Sequence, residues 1–186
     1  MSKPVIATSR LLLRRWRDED IEPFAAMCSD PEVMRHIGSG ETRTREQAAA
    51  AILAFETTWD EKGYGLFAVE LPGSRNLIGF AGLAEPTFLP EIMPAVEVGW
   101  RFARQSWGNG FATEAARAAL DFGLVKLGIP RVVGIHQVDH HASGRIMHKL
   151  GMRFDRETLD RTCGRTVRVY RTSLGAGGTS PGSRQR

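Results

Sequence analysis

Residues Glu97 to Leu127, EVGWRFARQSWGNGFATEAARAALDFGLVKL, decide the fold of this chain. From Val96 to Phe102, Val96, Val98, Trp100 and Phe102 alternate with Glu97, Gly99 and Arg101, the period of a strand with two distinct faces. An alanine-rich run with helical spacing begins at Phe111. Between them, Arg104-Gln105-Ser106-Trp107-Gly108-Asn109-Gly110 sets two glycines around one residue, so backbone amides can converge there with no Cβ in the way. The N-terminus of a helix adds free N–H groups and about half a positive charge. Strand, turn and helix together predict an anion-binding turn, with Arg101 and Arg104 close by.

Spacing separates the phosphate loops that could occupy this stretch. A P-loop needs Lys and Ser or Thr after its last glycine, where Phe111 and Ala112 stand. A dinucleotide fingerprint needs a small residue at Thr113 and an acidic residue about 20 positions on, and neither is present. Gln105-x-x-Gly108-x-Gly110 instead resembles the Gln/Arg-x-x-Gly-x-Gly/Ala pattern of the GNAT superfamily of N-acetyltransferases. A second match lies downstream, where His140-His141-Ala142-Ser143 and the run ending Lys149-Leu150-Gly151-Met152 resemble the family's Asn-x-x-Ser and Lys-Leu-Gly-Phe. The opening Thr8-Ser9-Arg10-Leu11-Leu12-Leu13-Arg14 and the later Asp30-Pro31-Glu32-Val33-Met34 are similar to the branch that contains the ribosomal-protein-alanine N-acetyltransferases. The resemblance spans residues 8 to 174.

Composition agrees with one globular unit. The chain has 186 residues, 42% hydrophobic and 25% charged, enough for a single core, and no linker divides it. We expect one domain over residues 1–174 and a disordered tail over 175–186, where no apolar side chain exceeds alanine. A net charge of +4 and a pI near 9.5 fit an acidic cofactor, and without an aromatic-interleaved basic stripe they do not predict nucleic-acid binding. Cys28 and Cys163 suit no metal motif and point to a reducing compartment. With no apolar leader at the N-terminus and no apolar run of membrane-spanning length, the expected location is the cytoplasm. Assembly is expected to be monomeric or homodimeric.

Along the chain, the pattern predicts a strand over Leu11 to Trp16, a helix from the Asp18-Glu19-Asp20 cap to Cys28, and a short helical segment from Pro31 to Ile37. A flexible loop at Gly38-Ser39-Gly40 precedes a long helix, Thr44 to Lys62, whose Ala48, Ala51, Ile52, Phe55 and Trp59 form a core-facing stripe. Gly65 to Glu70 and Asn76 to Leu83 read as a hairpin, Glu85 to Pro94 as a loop, and Arg131 to Val138 as a strand parallel to Val96–Phe102. A helix over Ala142 to Leu150 and strands over Met152 to Thr158 and Thr166 to Ser173 complete the unit. The fold class is α/β, or α+β in a stricter scheme, with a mixed, mostly antiparallel sheet and helices on both faces. The resemblance implies that the central parallel strands splay apart.

It also implies the chemistry. Acetyl-CoA would lie with its pyrophosphate on the amides of Gln105, Ser106, Trp107, Gly108, Asn109, Gly110, Phe111, Ala112 and Thr113, and its pantetheine beside Trp100, Arg101, Phe102, His140 and Ser143. An acetyl group would pass directly to a primary amine, a protein N-terminus or a small molecule. Neutralising a lysine at pH 7 costs roughly 4 to 5 kcal/mol and an α-amine only about 1, which favours the α-amine. Glu97 is the candidate base, the other reading being a strand carboxylate paired with Arg101. Ser143 is the candidate donor near the thiolate, or else the N-cap of its helix. Many relatives carry a tyrosine where Met147 stands, and His140 replaces the usual asparagine, so an acyl-CoA-binding module without turnover is the alternative. The histidines at 136, 140, 141 and 148 reproduce no ligand spacing, and no metal is expected.

Overall fold

The computed structural model describes residues 4–74 and 76–172. The tail expected to be disordered, 175–186, and the last residue of the final predicted strand lie outside them. Eight strands form one sheet in the order β1-β2-β3-β4-β5-β6-β8-β7. In chain order these are β1 (Ile6–Ala7), β2 (Leu12–Arg14), β3 (Leu66–Glu70), β4 (Leu77–Ala84), β5 (Val96–Phe102), β6 (Val132–Gln137), β7 (Arg153–Asp160) and β8 (Arg165–Arg171). The helices are α1 (Ile21–Ser29), α2 (Pro31–Met34), α3 (Arg45–Lys62), α4 (Phe111–Asp121) and α5 (His141–Lys149). All pairings are antiparallel except β5 with β6, so the sheet is the mixed, mostly antiparallel one expected.

That parallel pair is short. Val96 registers with Val132 and Glu97 with Val133, and beyond Glu97 the two strands do not pair. On its other edge β5 pairs with β4 along its length, from Glu97 opposite Ala84 to Phe102 opposite Gly79. The splay implied by the family resemblance therefore begins at Glu97, leaving the β6-facing backbone of the rest of β5 without a strand partner.

Local chemistry fixes the elements around this gap. Thr44 and Gln47 cap the start of α3 reciprocally, and Gly63, at φ 71°, ends it in the left-handed conformation. Asp30 accepts from the Glu32 N–H while Pro31 opens α2, which stops at Met34, short of the expected Ile37. β2 is likewise shorter than Leu11–Trp16, because Arg15 leaves the sheet for Glu56 and Asp60 on α3 and the Trp16 indole donates to the Leu66 carbonyl. Arg14 is buried between Asp20 and Glu70, at 2.7 Å from each, which satisfies its guanidinium inside the sheet end. After Asp121 the helix widens into a π-turn, Phe122–Lys126, where Gly123 lies against Leu83 and a Cβ would come within 2.8 Å of it.

The core divides across the sheet. Phe24, Cys28, Ile52 and Phe80 gather beneath α1 and α3. Leu83, Val98, Ala116, Ala119 and Met147 gather beneath α4 and α5. Val98 and Phe102 are buried on the α4 side, which leaves Glu97, Gly99 and Arg101 to the opposite face, as the alternation predicts.

Candidate active site at the strand splay

A cavity of about 910 Å³ opens where β5 and β6 part. Glu97, Trp100 and Arg101 line it from β5, His136 and Gln137 from β6, His140 and Ser143 from the start of α5, and residues 36–43 from the loop before α3. Five of the residues singled out in the sequence thus meet there. Phe102 and the stretch Gln105–Thr113 do not line it and lie further along the same strand and turn.

Glu97 is half-buried at the foot of the splay. Burial pushes its carboxyl up to about 8, and a hydrogen bond with the Ile135 backbone opposes that only in part. No ion pair joins it to Arg101 among the described residues, which removes the paired-carboxylate reading. Strand geometry explains why, since four residues at about 3.3 Å each set the two Cα atoms roughly 13 Å apart.

Ser143 is not the helix cap. His140 occupies that position and Ser143 is the third residue of α5, so its hydroxyl turns inward to His140 Nδ1 at 3.0 Å. His140 in turn stacks on His36, with ring centroids 4.3 Å apart and planes 13° apart. Burial, with the neighbouring imidazoles, lowers the His140 pKa to about 4, so the ring is neutral at physiological pH. Met147, which stands where many relatives carry tyrosine, is sealed in the core and does not line the cavity.

His136 belongs to the site and was considered in the sequence only as a metal ligand. Its Nδ1 donates to the Gln137 carbonyl at 2.7 Å, which makes Nε2 the acceptor, and Nε2 is buried without a partner. No group of three or more His, Cys, Asp or Glu among the described residues is placed to hold a metal ion.

The loop over the cavity, which contains the Gly38-Ser39-Gly40 stretch expected to be flexible, is held by side-chain hydrogen bonds. Arg165 donates to the carbonyls of Arg35 and Ser39, at 2.9 and 2.6 Å, and to Gln137 Oε1 at 2.7 Å. Gln137 completes the tie by donating to the Gly38 carbonyl at 2.8 Å. Nothing local in the sequence signals this, because Arg165 and Ser39 are 126 residues apart.

The double-glycine turn forms as expected. Gly108 and Gly110 have φ of 79° and 78°, and Gly110 is the N-cap of α4 with no side chain bonded to the first-turn amides of Phe111, Ala112 and Thr113. Trp107 pins the turn by donating from its indole to the Phe102 carbonyl at 2.8 Å, and Asn109 donates to the carbonyls of Ser106 and Trp107. Gln105 is exposed in the short 3₁₀ turn, while Ser106 is buried. The arginine beside this turn is neither of those expected. Arg104 pairs with Asp30 at 3.1 Å and the Arg101 side chain faces the cavity. Arg10 instead donates to the Asn109 carbonyl at 3.0 Å, lies over the Phe111 ring and bridges to Glu114 at 2.6 Å.

Residues 10–153 match the acetyltransferase (GNAT) domain family. The chain is 31% identical over 148 residues to the N-acetyltransferase YoaA of Bacillus subtilis, with 80% of this chain and 82% of that protein aligned. A GNAT-family acetyltransferase from Bacillus anthracis superposes with a TM-score of 0.74 at 25% identity, over 90% of this chain and 97% of that one. The ribosomal-protein-S5-alanine acetyltransferase of Vibrio fischeri shares the fold at 12% identity, with a TM-score of 0.74 over 93% and 98% of the two chains. With a splayed parallel pair, an uncapped glycine turn and these matches, the chain belongs to the GNAT acetyltransferase family, acyltransferases that take their acetyl group from acetyl-CoA.

Proposed function

We propose that residues 1–174 act as one N-acetyltransferase domain that moves the acetyl group of acetyl-CoA directly to a primary amine, with an α-amine as the preferred acceptor. The observation that carries this reading is Glu97, a carboxyl at the foot of the splay that burial pushes up to about 8, into the range of an α-amine. Proton transfer between groups of equal pKa needs no driving force, whereas a lysine side chain would stand about two units higher.

The residues present fit acetyl-CoA. The uncapped amides of Phe111, Ala112 and Thr113 beside Arg10 suit a pyrophosphate, and the unpaired edge of β5 suits the amides of a pantetheine arm. Bound there, acetyl-CoA supplies an activated acyl carbon and a thiolate leaving group. Glu97 takes a proton from the incoming ammonium, directly or through a water, so that the neutral nitrogen can attack. The N–C bond forms as the C–S bond breaks, the nitrogen gives up its second proton as the amide forms, and the departing sulfur takes one up, so that any proton Ser143 gives to the sulfur is replaced by the one the nitrogen loses.

Ser143 stands to supply that proton or to hydrogen-bond the sulfur. When neutral His140 carries its proton on Nδ1, the Ser143 oxygen accepts from it and keeps its own O–H free to donate. In the other tautomer the hydroxyl is spent on Nδ1. His140 is thus a positioning residue for Ser143, and the asparagine-like contact expected of it is shared with that serine.

The test is release of free thiol from acetyl-CoA on adding a panel of amines, from N-terminal peptides to lysine side-chain analogues. Turnover that favours α-amines supports the reading. Tight acetyl-CoA binding with no thiol release for any amine would leave a binding module.

A further inference from the structure

Glu97 and Arg101 share one face of β5, and Gly99 lies between them with nothing within 4 Å of where its Cβ would be. The strand therefore carries an open gutter with a carboxyl at one end and a guanidinium at the other. Arg101 has no carboxylate partner among the described residues. Its Nη1 reaches only the Cys28 sulfur, at 3.5 Å, its guanidinium lies over the Phe80 ring at 5.3 Å, and its Nε is buried and unbonded. A guanidinium keeps its proton at any physiological pH, and the Phe80 ring and the Cys28 sulfur offset only part of the cost of drawing one out of water without an anion. Burial accordingly pulls its pKa down.

Arg43 lines the same cavity and adds a second positive charge against Arg101 rather than relieving the first. The acids nearby are otherwise engaged. Asp160 accepts from the amide and hydroxyl of Thr162, and Glu41 accepts from Ser39.

Resting on the acetyltransferase reading of this cavity, we infer that the amine acceptor carries an anionic group, a carboxylate or phosphate, which Arg101 and Arg43 bind while the amine lies at Glu97. Glu97 and Arg101 are four residues apart on one strand, with Cα atoms roughly 13 Å apart at about 3.3 Å per residue, and no ion pair joins them among the described residues, so amine and anion are met at two separate points. The fitting acceptor holds its anion several bonds from the amine, as in a peptide whose acidic side chain follows its N-terminus.

Matched peptides Ala-Glu-Ala-amide and Ala-Gln-Ala-amide test this by thiol release. The parent enzyme should favour the acidic peptide at least tenfold in kcat/KM, chiefly through KM. Arg101→Gln should bring that ratio near one, Arg101→Lys should keep part of it, and neither should change the Kd for acetyl-CoA, whose pantetheine meets the backbone of β5 and not this side chain. A parent ratio near one, or a ratio that survives Arg101→Gln, overturns the inference while leaving acetyl transfer intact. A raised acetyl-CoA Kd in Arg101→Gln overturns it too, by giving the guanidinium to the cofactor. Should neither these peptides nor any amine of the wider panel release thiol, the acetyltransferase reading fails instead. Calorimetry with succinate on the acetyl-CoA-loaded protein then still decides, binding to the parent and not to Arg101→Gln supporting the anion site, and no binding to the parent refuting it.

Discussion

If Glu97 is the proposed base, position 97 sets the expected pH behaviour. A base must be unprotonated to act, so kcat/KM for an α-amine peptide should climb with pH and level off above about 8. Glu97→Gln should lower kcat about a hundredfold or more at pH 7 while the acetyl-CoA Kd holds. The same residue makes a claim on stability. Its folded pKa of about 8 lies above the carboxylate range, so the folded state binds more protons, and stability must fall as pH rises from the unfolded value of 4.5 towards 8. Above that window, Glu97→Gln should melt higher than the parent, and at pH 4 the two should melt alike; scanning calorimetry at both values checks the sign. Ser143→Ala should lose roughly tenfold to a hundredfold in kcat, whereas Ser143→Thr, which keeps a hydroxyl, should retain more of it. Because the residue lies inside the helix and not at its cap, Asn is not expected to restore stability there. The alternation of β5 made Glu97 legible in the sequence. The inward turn of Ser143 was not, since a cap and a first-turn residue differ by only one to three positions of helix start, and element boundaries are what sequence patterns resolve least.

At the level of the element, the turn before α4 was the most legible part of the chain, because two glycines and a helix start are local features. Both glycines sit at positive φ, where any Cβ is strained by about 1 to 2 kcal/mol. Gly108→Ala and Gly110→Ala should therefore each lower the melting temperature slightly, yet the space is available. A Cβ at Gly108 meets nothing within 4 Å, and one at Gly110 meets only Arg10 Nη2 at 3.6 Å. If the amides that follow hold the pyrophosphate, the two variants should raise the acetyl-CoA Kd by well over tenfold, and calorimetry showing parent affinity would remove the site. What the pattern missed was the end of the helix. The expected run to Leu127 becomes a π-turn at Phe122, set by contact of Gly123 with a strand 40 residues earlier in the chain, which no local period can report.

Across the whole molecule, the mixed sheet with its one parallel pair was legible, but its strand order was not, and the ties that shape the cavity join distant parts of the chain. Arg165 is one. Arg165→Ala frees three acceptors and the loop they hold, so the acceptor KM should rise severalfold with acetyl-CoA affinity unchanged, and hydrogen exchange at Gly38–Gly40 should quicken.

The contact between the beginning of the chain and Glu114 carries a consequence of another kind. Thr8 and Ser9 give their hydroxyls, and Arg10 its amide and guanidinium, to one carboxylate more than 100 residues away. That carboxylate stands in the first turn of α4, where a bare negative charge would repel an incoming phosphate, and Arg10 neutralises it. During synthesis, residues 8–10 must wait until residue 114 has emerged before they can dock. The turn before α4 therefore cannot mature before that point, and removal of residues 1–10, which takes β1 and Arg10 with it, should cripple acetyl-CoA binding in a protein that keeps the other seven strands.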